Sequence, residues 1–118
     1  MADQSFPKSY RLLSREQYDR VFAQKCSAAD SRIIVYAAAN DCDHPRIGLV
    51  VSRKIGNAVV RNRWKRLLRE AFRLSRAELP SGTDFVVLPR KDAQPQLEPL
   101  RNSLVELARR TVNRPRRQ

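Results

Sequence analysis

Acidic side chains are scarce in this sequence, with 12 Asp and Glu against 24 Lys and Arg in 118 residues. The acids are scattered, and the single histidine, His44, lies beside Pro45 in a predicted turn. A nuclease working alone needs carboxylates gathered around metal ions or a histidine base. The chain has neither, and no catalytic residue is assigned. Cysteine is nearly absent too: Cys26 and Cys42 form no Cys-x-x-Cys pair. Residues 1–8 are polar and lack the apolar stretch of a secretory signal, so both thiols are expected to stay reduced in a cytoplasm. Cys42 and His44 fall short of the three or four ligands that zinc requires, and no metal site is assigned. Long apolar runs are missing as well. The longest, around Ile33–Ala39 and Phe85–Leu88, are too short to cross a bilayer.

What remains is enough for one domain. Apolar residues make up 42% of the chain, which supports a core and excludes a disordered polycation. Neither a repeat nor an interdomain linker interrupts it. The expectation is a single domain over residues 1–118, with its core at about 7–112 and a loose basic tail at 113–118. The net charge is +12 and the pI is near 11.0. A pI above about 9 is the footprint of a polyanion binder. Charge by itself does not choose between nucleic acid and an anionic membrane.

Local patterns predict the elements. Ser14 and Gln17 form a capping box, with Leu13 placed to staple onto Tyr18. They start a helix that runs to about Gln24, with Tyr18, Val21 and Phe22 on one face. Ile33–Ala39 and Ile47–Arg53 read as strands, and the short loop between them predicts an antiparallel pair. Asn57 caps a long helix that reaches about Leu79, where Pro80-Ser81-Gly82 ends it. Phe85–Leu88 is a third strand. Pro95 and Pro99 mark the entry to a last helix carrying Leu100, Leu104, Leu107 and Ala108. The order α-β-β-α-β-α predicts a small α+β fold, a two-layer α-β sandwich.

The long helix is the outstanding feature. From Arg53 to Arg76 there are nine Lys or Arg and one acid, Glu70, a local charge of +8 (nine minus one). Arg61, Lys65, Arg69, Arg73 and Arg76 share one side of the helix, with Asn62 and Arg66 within or beside it. Val60, Trp64, Leu67, Ala71 and Leu74 occupy the other side, predicted to dock on the domain. Cations one turn apart stand about 5–6 Å from each other, close to the separation of backbone phosphates. An ordinary solvated face interleaves acids and bases, whereas a row of like charges repels itself unless a polyanion covers it. The loop before the helix, Ser52–Ala58, ends at a helix N-terminus whose free N–H groups can hold a phosphate. Most helices start in this way, so that signal is weak.

The run Lys54-Ile55-Gly56-Asn57-Ala58-Val59-Val60-Arg61-Asn62-Arg63-Trp64-Lys65-Arg66-Leu67-Leu68-Arg69-Glu70 resembles the signature of the bacterial ribonuclease P protein subunit. The hallmark is Arg61-Asn62-Arg63 followed by Lys65-Arg66 and Arg69. The resemblance extends through Tyr18–Phe22, Tyr36 and Arg46-Ile47-Gly48-Leu49 to cover roughly residues 7–112. Arg53 stands where the family often has lysine, and Trp64 where a smaller aliphatic residue is common; Trp64 is expected to pack as core.

The resemblance implies a noncatalytic partner, one per catalytic RNA, of an RNA that uses Mg²⁺ to cleave the 5′ leader from precursor tRNA. It implies a mixed central sheet with a left-handed β-α-β crossover, which handedness rules would not have predicted. It also implies two RNA faces. Arg53, Lys54, Asn57, Arg61, Asn62, Arg63, Lys65, Arg66, Arg69 and Arg73 are expected on the catalytic RNA. Tyr18, Phe22, Tyr36, Ser52, Lys54, Arg61 and Asn62 are expected on the precursor-tRNA leader, in a cleft between the first helix and the sheet. No cofactor is expected on the protein itself, since Mg²⁺ serves the RNA-based active site.

Read from the residues alone, Tyr18, Phe22 and Tyr36 favour core packing over base stacking, and the resemblance reverses that balance. Stacking tolerates any base and contributes about 1–3 kcal/mol for each, which suits a leader of variable sequence. Two rival readings of the whole chain remain. Composition fits a structural ribosomal RNA-binding protein equally well, although the Arg61-Asn62-Arg63 block and the paired aromatics argue against it. A membrane-surface helix would have to expose the apolar side that the core requires, so no membrane partner is expected.

Overall fold

Helix α1 (Arg15–Ala23) begins as its sequence dictates. The Ser14 hydroxyl accepts from the Gln17 N–H at 3.2 Å, and the Gln17 side chain accepts from the Ser14 N–H at 3.0 Å. The staple is carried by a different residue from the one expected: Leu13 is 63% exposed, while Leu12 is buried in the cluster that Tyr18 joins. The computed structural model describes residues 8–113, so the tail beyond Asn113 lies outside the described residues.

Four strands follow the order β1-β2-β4-β3 across one sheet. They are β1 (Ser27–Ala29), β2 (Ile33–Ala39), β3 (Arg46–Leu49) and β4 (Thr83–Pro89). Strand β1 was not predicted, because three small residues carry no periodicity; it forms a hairpin with β2. The predicted antiparallel pairing of β2 with β3 does not occur. Strand β4 lies between them, antiparallel to β2 and parallel to β3. The reason is burial: six of the seven β4 residues are buried, Leu88 alone being half-exposed. A strand apolar on both faces belongs at the centre of a sheet, where both faces are covered. Strand β3 is also shorter than the predicted Ile47–Arg53. After Val50 donates to the Val87 carbonyl, the chain turns into a short 3-10 segment at Arg53–Ile55.

Helix α2 (Ala58–Ser75) connects the parallel pair β3 and β4, making the β-α-β unit of the mixed sheet. Asn57 caps it as predicted, its side chain accepting from the Val60 N–H at 3.0 Å. The helix stops at Ser75, short of Leu79, and tightens into a 3-10 turn at Arg76–Glu78. Its buried side is Trp64, Leu68, Ala71, Phe72 and Ser75, whereas Val60 and Leu74 of the predicted docking side are 37% and 40% exposed. The helix packs against both the sheet and α3 (Leu97–Asn113), so the buried arc is rotated toward Leu68 and Phe72. In α3, Leu100, Leu104, Leu107 and Ala108 are fully buried, as their spacing predicts. Each fully buried large apolar side chain stabilises the fold by about 1.5–3 kcal/mol.

Alternation along the strands separates two clusters. Val35, Ala37, Phe85 and Val87 face α2 and α3 in the main core. Tyr36, Ala38, Val86 and Leu88 point to the other face, where α1 packs through Val21. The sheet and its two long helices thus form the predicted sandwich, and α1 adds a partial cover on the far side. Among the described residues no helix is long and apolar enough to cross a membrane.

Candidate nucleic-acid interface

The basic helix and the three aromatics Tyr18, Phe22 and Tyr36 lie on opposite faces of the sheet. Ser52, Lys54, Arg61 and Asn62 of the predicted leader set belong instead to α2 and the loop before it. On the α2 face the cations are unequal. Asn62, Arg63, Arg66 and Arg69 are exposed along the outer side of the helix, and Lys65 is half-buried on its flank. Arg61 is half-buried too, its Nε donating to the Gly56 carbonyl at 3.2 Å, which braces the loop against the helix. Arg73 forks onto Glu70 at 3.0 and 2.6 Å, and that contact holds the Glu70 carboxyl below its ordinary range. Arg76 leaves the basic row altogether. Its guanidinium lies 4.2 Å from the centre of the Tyr10 ring, a cation-π contact. Tyr10 in turn packs edge-on against His44 and Phe72.

The loop ahead of α2 presents Ser52, Arg53 and Lys54 to solvent. Gly56 there has φ +157°, and a Cβ added to it would lie 2.9 Å from the Val60 side chain. The loop folds tightly against the first turn of α2 for that reason. The Asn57 side-chain oxygen is occupied by its capping bond, so only its amide nitrogen is left to reach outward.

On the α1 face, Phe22 and Tyr36 meet edge to face with ring centres 4.9 Å apart. The Tyr18 ring lies over Gly48, and its hydroxyl accepts from the Leu49 N–H at 3.2 Å. All three aromatics are half-buried, so each has a packed side and an open side. Core packing, one of the two alternatives in the sequence, is present in all three rings, and each keeps an exposed part. Half-exposed Ile34, Val50 and Leu88 continue the apolar floor beside them. Val50 packs on this cluster two residues before Ser52, so the groove opens toward the basic loop. Among the described residues, no hydrogen bond or ring contact joins Arg61 or Asn62 to these aromatics.

A polar network at one end of the groove was not foreseen. Asp84, fully buried in β4, accepts from Asn40 Nδ2 at 2.7 Å and from Arg46 Nε and Nη2 at 2.7 and 2.8 Å. It also accepts from Arg20 Nη2 of α1 at 2.8 Å. Burial pushes this carboxyl up, but the hydrogen bonds from Arg46 and Asn40 and the Arg46 charge outweigh burial and hold it below its ordinary range. The signal in the sequence is a lone acid directly before the predicted strand Phe85–Leu88; the observed strand takes it in, and a buried charge must be paired. Among the described residues no three of His, Cys, Asp and Glu gather as metal ligands. The ring nitrogens of His44 face the Ser9 carbonyl at 2.7 Å and Asp43 at 3.2 Å.

Comparison with known proteins agrees with this fold. The family model of ribonuclease P matches residues 6–112. The ribonuclease P protein component of Vibrio cholerae is 45% identical over 95 residues, 80% of each chain. That of Petrotoga mobilis is 34% identical over 115 residues, covering 93% of this chain and 98% of the relative. The solved RNase P protein of Staphylococcus aureus has a TM-score of 0.75 and 33% identity, covering 86% of this chain and 94% of that one. The Thermotoga maritima RNase P protein gives 0.75 and 34%, covering 85% and 96%. Signature helix, mixed four-stranded sheet and near full-length similarity agree: this chain belongs to the ribonuclease P protein family.

Proposed function

We propose that this chain is the noncatalytic protein subunit of a bacterial ribonuclease P, assisting a catalytic RNA that removes the 5′ leader from precursor tRNA. The observation that supports it best is the placement of two unlike surfaces on opposite faces of one sheet. A cationic helix suits a folded RNA backbone, because each phosphate neutralised releases counterions. A half-buried aromatic groove suits unpaired bases, which stack without regard to sequence. The loop Ser52–Asn57 lies between the groove and α2, so its cations are placed to touch either RNA.

In this reading Arg63, Arg66 and Arg69 carry most of the contact with the catalytic RNA, and Arg53, Lys54, Arg61, Asn62 and Lys65 add to it. Arg73 contributes less, since Glu70 already offsets its charge. Asn57 shapes the loop more than it binds. Tyr18, Phe22 and Tyr36 receive the leader, with Ser52 and Lys54 at the mouth of the groove. Mg²⁺ acts at the RNA, one protein serves one RNA, and the compartment is the cytoplasm.

Reconstitution tests the proposal. With a bacterial ribonuclease P RNA, the protein should raise precursor-tRNA cleavage at low Mg²⁺, while the protein alone cleaves nothing. Cleavage without the RNA, or no gain with it, would overturn the reading. The ribosomal alternative predicts binding to ribosomal RNA and no gain in cleavage.

A further inference from the structure

Helix α1 forms one wall of the groove, yet little holds it there. It has nine residues, and only Val21 among them is buried. Tyr18 and Phe22, which flank Val21 on the inner side, keep open faces. So slight an apolar contact fixes neither the angle nor the height of a helix over a sheet. Two directional bonds do. One joins the Tyr18 hydroxyl to the Leu49 N–H of β3. The other joins Arg20 to Asp84 of β4. Leu49 is paired with Val87, three residues along β4 from Asp84, so the two bonds stand roughly 10 Å apart along the sheet.

The Asp84 carboxylate has no electrostatic need for Arg20. Arg46 already grips both of its oxygens, and Asn40 adds a third donor. Asn40 and Arg46 belong to the sheet or its loops, and Arg20 alone reaches Asp84 from the helical wall. Asp84 is also the one buried ionisable side chain among the described residues. The Arg20 side chain is 45% exposed, but its partner is fully buried and held by three further hydrogen bonds, so the bond ties a surface helix to an anchored point in the sheet.

We propose that Asp84 is a positioning residue for leader recognition, acting through Arg20 to set the distance of Phe22 from Tyr36. The proposal rests on the groove reading given above. With the tie broken, α1 pivots about Tyr18 and the Phe22 ring leaves its edge-to-face seat on Tyr36. The stacking platform is then no longer preformed, and a leader base must order it on binding.

The test uses the holoenzyme reconstituted with a bacterial ribonuclease P RNA, measuring dissociation constants for precursor and mature tRNA. Arg20→Ala leaves Arg46 and Asn40 on the carboxylate, so the fold should persist. We expect it to cut the preference for precursor over mature tRNA by about five- to tenfold, the size of one weakened base stack. Mature-tRNA affinity should be unchanged, and Arg20→Lys should restore most of the preference. The salt slope separates positioning from direct contact. A lost phosphate contact lowers the slope of log K against log salt by about 1, whereas a positioning role leaves it unchanged.

Asp84→Asn should reproduce the loss with Arg20 intact. Should that variant fail to fold, Arg20→Ala and its salt slope still decide. Full precursor preference in Arg20→Ala, or a lowered salt slope, would overturn the positioning role. A wild-type holoenzyme that shows no precursor preference, or keeps it in Tyr36→Ala, would instead sink the groove reading beneath it.

Discussion

Single side chains determine how this small protein holds its shape. Asp84 gathers four hydrogen bonds inside the fold, and removing one partner of a buried charge pair costs about 3–5 kcal/mol. Asp84→Ala should lose stability on that order in a denaturant titration at pH 7. The dependence on pH has a definite sign. A carboxyl held below its ordinary 3.8 binds fewer protons folded than unfolded, so its contribution is full above that value. It fades as the pH falls below 3.8 toward the lowered folded value. Thermal melts of wild type and Asp84→Ala should therefore draw together as the pH falls below 3.8; a constant gap would contradict the assignment. Gly48 is a second such residue. A Cβ there would lie 2.7 Å from the Tyr18 ring, so Gly48→Ala should displace the ring at about 1–3 kcal/mol, the usual range for overpacking. Precursor-tRNA affinity should fall with it, and an unaltered affinity would show that Tyr18 is no part of the groove.

At the scale of elements, α2 carries two programmes on one cylinder. Its inner arc of Trp64, Leu68, Ala71 and Phe72 anchors the core, while Arg63, Arg66 and Arg69 face solvent. The cations are not equivalent, because Glu70 already holds Arg73. Arg66→Ala should lower the slope of log K against log salt for the catalytic RNA by about 0.9, one counterion-releasing contact. Arg73→Ala should lower it by clearly less. Binding isotherms over a salt series measure both, and equal slopes would mean that Arg73 leaves Glu70 when RNA arrives. Much of this element was legible beforehand. The Asn57 cap and the cationic side follow from local rules, whereas the helix ends at Ser75, short of the Leu79 that the sequence predicts. The docking side is rotated by part of a turn from the one that periodicity predicts, since Leu68 and Phe72 are selected by two neighbours at once, the sheet and α3.

For the whole molecule, the separation of the two surfaces by the sheet has a measurable consequence. Tyr36 faces α1 while α2 lies across the sheet, so Tyr36→Ala and Arg66→Ala share no neighbours. Their effects on holoenzyme binding to precursor tRNA should add to within about 0.3–0.5 kcal/mol, as for independent sites. Tyr36→Ala should weaken precursor tRNA more than mature tRNA, and Arg66→Ala should weaken assembly with the RNA. A large coupling energy between them would mean that one RNA element spans both faces. The net charge of +12 contributes to both faces through long-range attraction, which sets the salt dependence of binding as a whole.

Most of the elements and their chemistry are written in local sequence, with β1 and the ends of β3 and α2 as the exceptions. Capping residues, periodicity and charge act over a few residues, so Ser14, Asn57 and the row from Arg61 to Arg69 could be read in place. The aromatic set of Tyr18, Phe22 and Tyr36 was visible as well, though not whether it was core or cleft. Only the tertiary structure decided which strands are neighbours. The seat of β4 between β2 and β3 depends on burying both of its faces, a demand met by residues far away in the chain. The same long-range placement brought Arg20, Asn40 and Arg46 onto Asp84, and it left the three rings half-covered. Local sequence specifies what each segment can be; the competition for buried surface and for buried charge specifies where it stands.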